Sequence, residues 1–353
     1  MLGLLGLLAA LPIISACAGN KGSDESRKEK MVQSVSVVQP ITGTWINLAY
    51  KDVRNKYTNP QHFDNMDPKL WTAKVRELAN MGIEYLVFME VANEGKAYYP
   101  SKLMPWLYND KLQSPVDAIL DEAAKHGMKV FMSTGWAKDQ DDNLLDPVIK
   151  ERQLQIMEEL ASLYKNHKAF YGWYLPVEDC LCPIFAEHAV QSVNALTEKA
   201  HSLTPGKKTL ISPYGIGLSE FDHPDFEKQM AKLKVDIIAY QDEVGCVRDK
   251  FTLPRLKKNW QRMRDIHNRL NIEMWANCET FTWEEGTNDR QSALIPAAYS
   301  RLLSQQVAAS GAGVDKIISF MFGGIIEDPK SAYQLGQPVW SLSLIHISEP
   351  TRP

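Results

Sequence analysis

The chain has 353 residues, 44% hydrophobic and 23% charged, which is enough for one large domain with a sizeable core. A formal net charge of −4, with no Lys/Arg stripe interleaved with aromatics, argues against nucleic acid as a partner. Nine Trp and thirteen Tyr suit a protein that meets flat apolar faces such as sugar rings, although most aromatics of a globular chain belong to its core.

The chain opens MLGLLGLLAALPIISAC, an apolar run short for a membrane span that closes on small residues and a cysteine. Ile14-Ser15-Ala16-Cys17 resembles the lipobox of bacterial lipoproteins, where the leader is cut before the cysteine and that residue is acylated. The Lys or Arg that usually leads such a segment is absent. The resemblance implies a signal peptide over 1–17 with lipidated Cys17. Ala18 resembles the residue of lipoproteins sent on to the outer membrane, so the cell envelope is the expected location, with the lipid as the sole membrane contact. Residues 18–39, containing NKGSDESRKEK, have the composition of a flexible tether.

From residue 40 onward, short β-branched and aromatic runs alternate with amphipathic stretches. The predicted strands are ITGTWINLAY (41–50), IEYLVFMEV (83–91), MKVFMSTGW (128–136), AFYGWYLPVE (169–178), TLISPYGIG (209–217), VDIIAYQDE (235–243), IEMWANCET (272–280) and KIISFMFGG (316–324). Helices lie between them. One carries Trp71, Val75, Leu78 and Ala79 behind an Asp67-Pro68 start, and another carries Ile149, Leu154, Met157, Leu160 and Leu163. Met81-Gly82 and His126-Gly127 read as glycine stops. Eight strands separated by seven helices predict a single α/β domain over 40–341, a (β/α)8 TIM barrel. A doubly wound sheet would bring a glycine-rich phosphate turn, and only the lone G-x-G of Gly215 and Gly217 is present. An eighth helix is expected after Gly324, with SAYQLGQPVW as its remnant. The last stretch, LSLIHISEPTR within 342–353, resembles the translation of a transposase adapter used in DNA library preparation, which implies a non-native tail and a truncated natural C-terminus.

In this fold the active site lies where the strands end at their C-terminal rim. Those ends carry Trp45 and Asn47, Glu90, Trp136, Glu178 and Asp179, Tyr214, Tyr240 to Glu243, Asn277 and Glu279 with Trp283 beyond, and Phe322. Acids, amides and aromatics together suit carbohydrate, whose hydroxyls need polar partners and whose C–H faces need aromatic platforms. Retaining glycoside hydrolysis requires two carboxyls about 5–5.5 Å apart.

Glu178 on strand 4 and Glu279 on strand 7 resemble the paired acids of the glycoside hydrolase superfamily called clan A. GTWINLAY, GIEYLVFMEV, FYGWYLPVED and WANCETF resemble, more closely, a family of glycosidase-like TIM-barrel lipoproteins known as a domain of unknown function. The resemblance implies Glu178 as acid/base, Glu279 as nucleophile, and Trp45, Asn47, Glu90, Trp136, Tyr214, Tyr240, Asn277, Trp283 and Phe322 as substrate-binding residues. Tyr240 is expected to orient Glu279. In clan A an asparagine precedes the strand-4 acid and holds the sugar 2-hydroxyl. Val177 stands there instead, so Asn277 or Asn47 is expected to take that role. Asp242-Glu243 offers an inverting variant.

Besides Cys17 there are Cys180, Cys182, Cys246 and Cys278, all at the same rim. Cys180 and Cys182 stand too close in sequence to bridge comfortably to each other, so a disulfide from one of them to Cys246 is expected in an oxidising compartment. C-x-C with scattered single cysteines is weak for structural zinc. Cys278 lacks a rim histidine to activate it as a nucleophile, and His188, His201 and His267 read as surface or packing residues. The expectation is a monomeric retaining glycosidase needing no metal or other cofactor and acting on a poly- or oligosaccharide. The alternative is a surface lipoprotein that binds glycans without turnover, and a rim metal held by carboxylates and thiols is a third option.

Overall fold

The computed structural model describes residues 38–48, 67–93, 95–106, 113–135, 146–246, 252–286, 292–328, 330–333 and 335. Eight parallel strands close into a barrel: β1 (Gly43–Ile46), β2 (Tyr85–Phe88), β5 (Lys129–Ser133), β6 (Phe170–Tyr174), β7 (Lys208–Ile211), β8 (Ile237–Gln241), β9 (Glu273–Glu279) and β12 (Lys316–Phe320). Seven lie inside predicted segments, and β7 begins one residue before its own, at Lys208. Two antiparallel ribbons are added, β3 (Ala92–Asn93) with β4 (Lys96–Ala97) and β10 (Phe281–Trp283) with β11 (Leu294–Pro296). The helices are α1 (Pro68–Asn80), α2 (Pro115–Lys125), α3 (Pro147–Tyr164), α4 (Glu187–Leu203), α5 (Phe226–Met230), α6 (Leu253–His267) and α7 (Tyr299–Ala312).

The starts of α1, α2 and α3 share one device. Proline at the first position has no N–H to leave unsatisfied, and the residue before it caps the next donors. The Asp67 side chain accepts from Lys69 N at 2.8 Å, Ser114 Oγ from Asp117 N at 3.0 Å, and Asp146 from Val148 N at 2.8 Å. Gly82 and Gly127, at φ 83° and 67°, turn the chain from helix to strand, as their positions predict. The predicted apolar stripe of α3 holds at Leu154, Met157 and Leu160 and departs at its end. Ile156, Met157, Leu160 and Tyr164 are buried, whereas Leu163 is 44% exposed.

Aromatics plug the N-terminal end of the barrel. Tyr85, Phe131, Tyr171 and Trp275 meet there, with ring centroids 5.0 Å apart for Tyr85–Trp275 and 5.3 Å for Phe131–Tyr171. Lys129 covers the rings of Tyr85 and Tyr171 at 4.9 and 5.1 Å. Gly172 makes room for this plug, since a Cβ there would lie 2.5 Å from Lys208 O and 2.8 Å from the Phe131 ring. With this end closed, the cavity described below lies at the C-terminal end.

The expected eighth helix is absent among the described residues. After β12 the chain runs through turns held to α1 by a buried charge cluster. Lys74 Nζ lies 2.7 Å from Glu327 and 3.1 Å from Glu77, and it donates to Ser331 Oγ at 3.0 Å. Lys74 and Glu327 are both fully buried. Glu327 also accepts from Gly324 N and Leu335 N, so a side chain ties down backbone that a helix would otherwise satisfy. Lys74→Met strands the Glu327 carboxylate and is expected to cost about 3–5 kcal/mol in urea unfolding, with Lys74→Met/Glu327→Gln recovering part of it. A single variant as stable as wild type would show that the cluster does not hold this segment.

Candidate active site

The open end forms a cavity of about 180 Å³. Its apolar wall comes from Trp45, Met89, Tyr174, Phe281 and Phe320, and its polar groups are Glu178, Ser212, Gln241, Cys246, Asn277 and Glu279. Two of the predicted acids, from the ends of the fourth and seventh barrel strands, therefore meet in one chamber with aromatic walls. Trp45 stands edge-on to Tyr174, centroids 4.6 Å apart.

Glu279, the last residue of β9, is held by its surroundings on every side. Its Oε2 accepts the backbone N–H of Cys246 at 2.6 Å. Gly245 permits that approach, because a Cβ there would lie 2.5 Å from Phe281 O and 2.9 Å from Glu279 Oε2. The peptide of Glu279 is fixed as well. Its N–H donates to Asp242 Oδ1 at 3.2 Å, and its carbonyl accepts from Arg301 at 2.8 Å and from Gln305 Nε2 at 3.2 Å. Gln305 Nε2 also donates to Asp242 Oδ2 at 2.5 Å, so Asp242 and Gln305 hold the two polar ends of this strand tip together. Burial pushes the Glu279 carboxyl up to about 8. The Asp242 charge adds to that rise, and the Cys246 N–H opposes it. Asp242 is itself fully buried and raised by the same loss of water.

Glu178 follows β6 and is open to solvent through the cavity mouth, yet protein crowds its other sides. That crowding raises its carboxyl, against a lowering from the Gln241 amide, whose Nε2 donates to Glu178 Oε1 at 2.8 Å and to Ser212 O at 3.0 Å. The open mouth makes the crowding, rather than complete exclusion of water, the cause. Val177, in the place of an asparagine, is a core residue 5% exposed.

Among the other predicted residues, Trp45 and Asn277 line the cavity with the two acids. Asn47 lies just past β1, Tyr214 is 40% exposed beside the mouth, and neither lines the chamber. Glu90 is fully buried, and its Oε1 accepts from Leu48 N at 2.6 Å, which makes it a brace for the segment after β1. Trp283 packs behind the wall, edge-on to Phe281 at 5.9 Å. Trp136 lies outside the described residues. Two expectations are corrected. Tyr240 faces outward, its hydroxyl 2.6 Å from His267 Nε2 and its ring against Trp260, so it cannot orient Glu279. Strand alternation turns the next residue, Gln241, inward instead. Phe322 is buried under Lys74, 5.6 Å from the ring centroid, and Phe320 takes the place expected for it on the wall. Asp242 and Glu243 are both buried away from the cavity lining, which removes the inverting variant that would have used them.

The cysteines also depart from expectation. Cys180 is bridged to Cys182, with Cα atoms 5.2 Å apart, and Cys246 is a thiol on the cavity wall. The reason is local. Leu181 is fully buried with its N–H on Tyr214 O at 2.8 Å, and the chain bends there, its flanking Cα atoms at 5.2 Å rather than the roughly 6.6 Å of extended strand, so the two cysteines meet. Cys278 is a buried thiol against Asp242. His188 pairs with Asp179 at 2.7 Å next to Glu178, a rim contact that its helical setting hid. Ser212, Gln241, Met89, Tyr174, Phe281 and the Arg301/Gln305 pair were missed as site residues. Strand parity could have found Gln241; the α7 pair gave no signal.

Three comparisons bear on this geometry. Over 144 residues the chain is 29% identical to the glycosyl hydrolase DigH of Escherichia coli strain K12, covering 37% of this chain and 32% of that protein; it thus spans about a third of the length of that relative. Among solved structures, a candidate alpha-L-fucosidase from Bacteroides thetaiotaomicron VPI-5482 superposes with a TM-score of 0.65 at 21% identity, covering 84% of this chain and 92% of that one. The GH5_18 structure from Streptomyces cattleya in complex with GlcNAc gives 0.52 at 14% identity over 88% and 79% of the two chains. These likenesses show a glycoside-hydrolase-like barrel. Because residues 41–333 match the family described as Domain of unknown function (DUF4434), the chain belongs to that family.

Proposed function

We propose that the protein is a retaining glycoside hydrolase acting on an oligo- or polysaccharide, with Glu178 as acid/base and Glu279 as nucleophile. The observation that carries this reading is the meeting of the two carboxyls in one aromatic-walled cavity. Glu279 attacks as its carboxylate, so its own proton must first be lost to solvent; with Oε2 engaged by the Cys246 N–H, Oε1 is then the oxygen left to attack the anomeric carbon. As that bond forms, the glycosidic C–O bond breaks and the leaving oxygen takes the Glu178 proton. Water then attacks the glycosyl-enzyme ester, gives its proton to Glu178 and releases Glu279. The raised Glu178 carboxyl suits a proton donor. From the leader sequence we also propose an outer-membrane lipoprotein anchored through Cys17.

Val177 favours a second reading, a glycan-binding protein without turnover, since no asparagine stands beside the acid. Reducing-end release from a glycan panel separates the two. Wild type is expected to release sugar, with Glu178→Gln and Glu279→Gln each lowering kcat at least 10³-fold, about the scale of losing a group of a catalytic unit. Glycan binding without release by any of the three would leave the binding reading.

A stability test is independent of substrate. Glu279 holds its proton up to about pH 8 when folded but only to about 4.3 in an unfolded chain, so the native state binds the extra proton between those values and stability falls as pH rises through them. Thermal melts of Glu279→Gln against wild type are expected to show a small gap near pH 5, growing to a plateau in favour of the variant above about pH 8. A gap independent of pH would contradict the buried-carboxyl account. For the anchor, metabolic labelling with a radioactive fatty acid is expected to mark wild type and not Cys17→Ser.

A further inference from the structure

A single carboxylate reaches both parts of the structure that hold Glu279. Asp242 is fully buried just past β8, and its Oδ1 accepts the backbone N–H of Glu279 at 3.2 Å and that of Val244 at 3.3 Å. The first contact fixes the tip of β9. The second fixes the turn that leads, two residues on, to the Cys246 N–H, the donor to Glu279 Oε2 at 2.6 Å. That turn does not hold itself. Glu243, between Asp242 and Val244, stands at φ 55°, a left-handed conformation that a residue other than glycine keeps where its surroundings impose it.

The far side of Asp242 is held from α7. Gln305 Nε2 donates to Asp242 Oδ2 at 2.5 Å and to the carbonyl of Glu279 at 3.2 Å. A carbonyl has no proton to give, so the second contact fixes which end of the amide is nitrogen. The buried Cys278 thiol donates to the same carboxyl. Two backbone N–H groups, an amide and a thiol therefore present hydrogens to Asp242, and a carboxyl proton would meet one of them head-on. The arrangement fits the anion, with the Arg301 charge nearby, against the burial that opposes it.

Resting on the retaining-glycosidase reading, we infer that Asp242 is the positioning residue of Glu279: one buried carboxylate ties the strand tip to the turn behind it and acts on the reaction through the group that attacks. The groups that face Glu279 are Asp242 and Glu243 past β8, Cys278 beside it on β9, Arg301 from α7, and the cavity-lining Glu178, Tyr174 and Cys246. Among these charges Asp242 adds most to the rise of the Glu279 carboxyl, so placement and charge both pass through one side chain.

The experiment separates the two. Carboxyl 13C NMR of glutamate-labelled protein, assigned by the signal lost in Glu279→Gln, follows the titration of Glu279. Asp242→Asn keeps the shape and removes the charge, and the Glu279 midpoint is expected to fall by roughly one pH unit. An unmoved midpoint overturns the proposal. Gln305→Leu keeps the charge and loosens its support. On a glycoside that wild type cleaves, this variant is expected to lose kcat on the order of tenfold with KM unchanged. Wild-type kcat in Gln305→Leu overturns the proposal and leaves the hydrolase reading intact, and this arm decides should Asp242→Asn fail to fold. If wild type cleaves no glycoside, the hydrolase reading fails on its own, and the NMR comparison then decides whether Asp242 governs Glu279.

Discussion

The ends of β8 and β9 bring Asp242 and Glu279 together where little water reaches, while Glu178, past β6, meets Glu279 across the cavity and stays open to solvent. Much of the nearby structure answers that crowding. Asp242 is sealed behind the strand tips and satisfied by Gln305 and two backbone N–H groups. Arg301 donates to the carbonyls of Glu279 and Phe281 and brings a cation among the acids. The cavity-side oxygens are met by one backbone N–H and one amide. The result separates two acids that line the cavity from one sealed behind it, a division drawn by burial and donors rather than by residue type.

This separation explains what the sequence could tell. All eight barrel strands lie in segments where β-branched and aromatic runs alternate with helical patterns, because burial on both faces of a parallel sheet imposes that composition. Glu178 and Glu279 were legible because the fold restricts chemistry to strand ends. The errors come at finer scale. Tyr240 and Gln241 are neighbours, and which of them faces inward is a question of parity that one residue reverses. Glu90 looked like a binding acid because nothing in the run LVFMEV reveals that Leu48 N–H awaits it. The disulfide was misassigned because the decisive contact, Leu181 with Tyr214, joins two loops.

The segment after β12, where no helix occurs among the described residues, shows the same limit. The expectation of one follows from counting units, but the path of the described chain there is tied to α1 by Lys74 and Glu327, far apart in sequence and inconspicuous there. A buried ion pair of this kind gives specificity more readily than stability, and here it selects one path for the chain after the last strand.

The contact at Glu279 has a consequence for how such proteins can diverge. The donor is the main-chain N–H of residue 246, not its side chain. Any amino acid other than proline supplies that donor. A substitution at 246 other than to proline therefore keeps the contact to Glu279, while the loop that Gly245 allows to approach holds the same main-chain atom in place.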